Sequence, residues 1–156
     1  PFRGETFVTK KIISAMCKIK EGKQKELFLG NLYSKRDWGH SKDYVKAMWM
    51  MMQKKQPKDY VISTGNQYTI KEFINLTAKD LNMKIFWKGS GLQERAIWNN
   101  KKIISIDKSY FRPTEVESLL GDSKLARKEL KWKPRYNINT LVSEMVIEEY
   151  KKLKNE

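Results

Sequence analysis

The chain has 156 residues, 40% of them hydrophobic, and a formal net charge of +14 at pH 7. That is the size of one domain with enough apolar content for a core. A single cysteine (Cys17) excludes an internal disulfide, one histidine and one cysteine exclude a zinc site of ordinary composition, and no apolar run approaches a bilayer span. Together these point to a soluble protein of a reducing, cytoplasmic compartment. The charge raises nucleic acid as a partner. Yet only six of the 32 basic residues are arginine, and the lysines are scattered among carboxylates, the pattern of a solvated surface.

In chain order, Phe7, Val8, Ile12, Ala15, Met16 and Ile19 recur at helical spacing over 5–21, closed by Gly22. Leu27 to Leu29 is a short strand. The spacing then predicts a helix capped by Ser41 and running to about Lys55, ahead of Pro57, with the methionines of 50–52 packing inside it. Tyr60 to Ser63 is a compact strand. Thr69 and Glu72 form a capping box for a helix ending near Asn82. Met83–Trp87 and Lys102–Ile106 read as strands, 114–120 and 123–131 as short helices, and 140–153 as the last helix. Helices alternating with short strands give an α/β fold. The chain starts at Pro1 without an initiator methionine, which reads as part of something longer.

Few residues stand out for chemistry. Arg36, in "LYSKRDWGHSKDY", and Arg112, in "YFRP", are arginines flanked by aromatics in a lysine-dominated chain. The guanidinium fork fits phosphate oxygens bidentately. Either these two grip an anion, or each stacks on its neighbour and pairs with a carboxylate. Glu115, three residues beyond Arg112, faces the same way in a first helical turn; it either accepts from a ribose or base edge or simply answers the helix dipole. His40 is a general-base candidate or a polar loop neighbour, and Trp38 reads as core. Cys17 lacks a partner that would activate it. Gly89-Ser90-Gly91 is no phosphate loop, and the Tyr150…Lys154 spacing lies in a terminal helix crowded with lysines.

The blocks "PFRGETFVTKKI", "LGNLYSKRDWGHSKDYVKAMWMM", "STGNQYTIKEF", "YFRPTEVESLLGD" and "LKWKP" occur in order and resemble the C-terminal half of the GDP-mannose 4,6-dehydratases, which are extended short-chain dehydrogenase/reductases. The resemblance covers nearly the whole chain, with 88–102 the least similar stretch. It implies a two-domain enzyme: an N-terminal Rossmann domain for NADP and a C-terminal lobe over the GDP-mannose. Residues 41–66 would pack on the NADP-binding domain, whereas 1–40 and 67–156 form mainly the substrate lobe. By motif position Arg3 would contact NADP, and Val8, Lys11, Arg36, Arg112 and Glu115 would contact the GDP-sugar. No catalytic residue and no metal ligand of that family falls within these 156 residues. The resemblance further implies a lyase that becomes a homo-oligomer at full length, on the route to GDP-fucose, and a fragment inactive by itself. It also implies a 60–63 strand without its sheet neighbours, hence poor solubility of the fragment. The competing readings are another nucleotide-sugar epimerase or reductase, a non-catalytic sugar-nucleotide module, and a small basic nucleic-acid-binding protein.

Overall fold

A computed structural model describes residues 4, 6–112 and 114–155. Two sheets and five helices alternate along the chain, the α/β class expected. Helix α1 spans Val8–Lys20 and stops where Gly22 takes φ 72°, a left-handed turn open to glycine at no steric cost. The larger sheet has the order β1-β6-β5-β4, built from Leu27–Leu29, Lys101–Ile106, Arg95–Trp98 and Phe86–Lys88. Strands β1 and β6 run parallel and the other pairs antiparallel.

Helices α1, α3 (Ile70–Asp80) and α5 (Ile138–Lys154) bury one core with this sheet. Their inward residues carry the 3.6-residue period: Ile12, Met16 and Ile19 on α1, Phe73, Ile74 and Thr77 on α3, Val142, Met145 and Val146 on α5. The capping box at Thr69 and Glu72 forms, and Glu72 lies below its ordinary value because the Thr69 amide and hydroxyl donate to it. Between α1 and α5 a buried ion pair joins Lys10 to Glu149.

A second, smaller sheet has the order β3-β2-β7, from Tyr68–Thr69, Lys35–Arg36 and Ser118–Leu119. Beside it, helix α2 (Ser41–Met52) and helix α4 (Lys124–Leu130) enclose a separate cluster of Ala47, Ala126, Leu130 and Trp132. Polar clamps fasten this module to the lobe. The buried Asp43 carboxylate accepts from the backbone N–H groups of Arg135 and Tyr136, and its carbonyl accepts from Trp132 Nε1 at 2.9 Å. Asp37 accepts from Thr64 and Gly65 at the end of the 58–64 segment.

Several expectations are corrected. The segment 114–120 is no helix but a turn leading into β7, because pairing with β2 satisfies its backbone instead. The N-cap of α2 is His40, not Ser41, and the helix ends at Met52. The 60–63 run, expected as a strand, forms no helix or strand in the structure. Strand β5 does not stand out in the sequence because its apolar run, Ala96-Ile97-Trp98, is short and flanked by charged and turn residues.

Candidate functional site

One cavity of about 540 Å³ opens where the two sheets meet, a volume typical of small-molecule sites. Its wall brings together Val8, Lys11, Arg36, Arg112 and Glu115. They come from three separate places in the fold: the start of α1, strand β2 and the 110–116 loop. Arg3 lies outside the described residues.

Each is placed by backbone structure. Val8 and Lys11 lie one turn apart at the head of α1. The Lys11 ammonium donates to Phe28 O at 2.8 Å and sits 3.8 Å over the Tyr110 ring. Partial burial pushes it below its ordinary value, opposed by the charge of Asp107. Arg36 occupies the central strand of the small sheet, paired with Tyr68 on one side and Leu119 on the other. Its Nη1 donates to the carbonyls of Lys35 and Val116 at 2.7 Å each, and its Nη2 pairs with Glu115. Glu115 therefore pairs directly with Arg36 at the cavity wall instead of sharing a helical face with Arg112. Its N–H bonds Arg112 O at 3.2 Å in a turn. Arg112 is exposed, and among the described residues no carboxylate pairs with it. Three cations thus face one carboxylate, an arrangement that attracts an anion.

His40 is elsewhere. It is 3% exposed, with Nδ1 accepting the Lys42 N–H at 3.1 Å and Nε2 2.9 Å from Glu144 Oε2, while its ring stacks on Tyr136. A histidine that caps a helix with one nitrogen and meets a carboxylate with the other has none left for a substrate proton. Trp38 packs on Phe73, with ring centroids 5.0 Å apart. Burial pushes the Cys17 thiol up to about 12, aided by Glu149, and the Tyr150 phenol likewise to about 12. Neither lines the cavity.

Asn31, Ser34 and Tyr110, which carry no strong signal in the sequence, also line the cavity. Asn31 had one visible signal, its place after Gly30 in the "LGNLY" block.

The fold is that of the C-terminal lobe of an extended short-chain dehydrogenase/reductase. The chain superposes on Pseudomonas aeruginosa RMD complexed with NADPH at TM-score 0.79 and 18% identity, covering 97% of this chain and 45% of that one. A Bacillus anthracis dTDP-glucose 4,6-dehydratase follows at TM-score 0.71, 19% identity, 99% and 42% coverage. A sequence profile of the GDP-mannose 4,6 dehydratase family matches residues 1–145, and the chain belongs to that family. Proteins named GDP-mannose 4,6-dehydratase are 48% identical in Vibrio cholerae serotype O1 and 44% identical in Homo sapiens, each over 94% of this chain. The chain spans only 42% and 40% of their lengths.

Proposed function

We propose that this chain is the sugar-nucleotide-binding portion of a GDP-mannose 4,6-dehydratase, a lyase converting GDP-mannose to GDP-4-keto-6-deoxymannose and water. The carrying observation is the single cavity that gathers Val8, Lys11, Arg36, Arg112 and Glu115, all singled out beforehand by motif position. Arg36 and Arg112 hold the diphosphate by charge-assisted hydrogen bonds. Arg36 is already oriented by two backbone carbonyls, so binding it costs little ordering. Glu115, which pairs with Arg36, turns to accept from a ribose hydroxyl or a base edge as the diphosphate takes its place. Val8 and Lys11 line the wall beside the sugar. Arg3 would contact NADP, which would accept and return the hydride, and the rest of its site would lie outside these residues. The residues described here bind and orient the substrate, and the chain by itself does not dehydrate it.

The apolar stripe of α2 supports the division of the chain. Val45, Met48, Trp49 and Met52 recur at i, i+3, i+4 and i+7 and are 53–80% exposed. This stripe, with the adjoining 60–63 segment, is the seat of the NADP-binding domain in the full-length, cytoplasmic, homo-oligomeric enzyme of the route to GDP-fucose.

Calorimetric titration with GDP, UDP and dTDP tests the reading. GDP binds saturably and tightest, and Arg36→Ala or Arg112→Ala each weakens it about 10- to 100-fold, from ~1.5–3 kcal/mol per charged hydrogen bond. Equal affinity for UDP would favour an epimerase-like relative. Binding to DNA that collapses with salt, with none to GDP, would favour the nucleic-acid reading.

A further inference from the structure

We infer that Asn31 is a positioning residue that holds the backbone of Arg112, and through it Glu115, at the rim of the anion site; this rests on the function proposed above. The β1–β6 pairing does not end with the strands. Beyond Leu29, its carbonyl accepts the Asp107 N–H at 2.8 Å. A Cβ on Gly30 would lie 2.0 Å from the Tyr110 carbonyl oxygen, so the two backbones are in direct contact there and only glycine fits. One residue further, the Asn31 side chain takes over. Its Nδ2 donates to Arg112 O at 3.2 Å, and its Oδ1 accepts the Arg112 N–H at 3.0 Å.

A primary amide carries one donor edge and one acceptor edge, like a peptide unit, so Asn31 acts as a substitute strand for a single residue. The backbone N–H can only donate and the carbonyl can only accept, which settles the amide orientation. Arg112 belongs to no helix or strand, so this double bond is what registers it against β1. The Arg112 carbonyl also accepts the Glu115 N–H, and Glu115 pairs with Arg36. One amide thereby sets the stance of both the second arginine and the carboxylate opposite the first. Aspartate cannot reproduce this, having no donor for the carbonyl. Glutamine displaces the amide by a methylene.

A mutant cycle on the protein at the length its cell makes it provides the test. Asn31→Ala lowers GDP affinity about tenfold while the thermal midpoint stays near that of the unmodified protein. In a background carrying both Arg112→Ala and Glu115→Ala the same change costs less than about threefold, since both of its routes to the ligand are gone. Losses that multiply independently, or an Asn31→Ala protein with unaltered affinity, overturn the inference. Amide exchange without ligand separates this from the function itself. Asn31→Ala speeds exchange across 110–116, and Arg112→Ala does not. If the unmodified protein fails to bind GDP yet this exchange pattern holds, the proposed ligand is wrong and the clamp stands. If exchange is unchanged, the clamp is wrong.

Discussion

The two hydrophobic clusters of this chain are held by different physics. The lobe core is broad, apolar and closed: α1, α3 and α5 bury Ile12, Met16, Phe73, Ile74 and Val142 against the larger sheet. The cluster under α2 is thin, with only Ala47, Ala126, Leu130 and Trp132 buried, and polar clamps at Asp37, Asp43 and His40 tie it to the lobe. Its outer helix face is apolar and bare. A core that closes on itself can carry its own stability. A thin cluster with an open apolar face leans on its polar clamps, and the cavity opens between these regions, where the two sheets meet.

The sharpest way to break this contrast is to empty each core in turn. Phe73→Ala and Trp132→Ala are both expected to cost about 3–5 kcal/mol. The first should lower hydrogen-exchange protection everywhere. The second should loosen only α2, 58–64 and α4, leaving α1, α3 and α5 protected. Equal loss in both regions would show that the clusters fold as one unit.

The Lys10–Glu149 pair tests how far the lobe core depends on a buried charge pair. Burial pushes the Glu149 carboxyl up, but the Lys10 ammonium and a Ser14 hydrogen bond more than offset it, leaving it below the ordinary 4.5. Its stabilisation is therefore fully present above that value and is lost as pH falls through the lower folded value. Glu149→Gln should cost about 3–5 kcal/mol at neutral pH, because Lys10 is left buried and unpaired. It should also flatten the acid limb of a urea-unfolding series. The double change Lys10→Met with Glu149→Leu should recover most of the loss, and a double variant as unstable as the single would refute the reasoning.

The smallest effect is expected on the bare face. Trp49→Lys with Met52→Lys should move stability by no more than ~0.5 kcal/mol. Light scattering should show less self-association, since exposed apolar stripes drive it. A marked drop in the melting point would mean that α2 packs more tightly than its exposure indicates.

Much of this was legible in the residues. The periodicity of α1 and α3 and the Thr69–Glu72 box are local signals that the structure matches, because a helix is specified within a few turns. The 114–120 segment misled for the complementary reason: a stretch with helix-compatible residues became β7 once β2 offered its edge. His40 hid as a candidate base because nothing near it in the chain reveals Glu144 and Tyr136. The five cavity residues were chosen through motif resemblance, which marks position without showing convergence.

By itself the amino-acid order determined the helices α1, α3 and α5, which of their faces are apolar, and that arginine, scarce here, stands close to aromatic residues at positions 36 and 112. Only the tertiary structure decided that Arg36 and Arg112 share one cavity, that Glu115 answers Arg36 and not the helix dipole, and that Asn31 stands in for a strand. Helix formation is settled by neighbours three and four residues away, whereas these contacts join groups about eighty residues apart. Such pairs exist only after the sheets have closed.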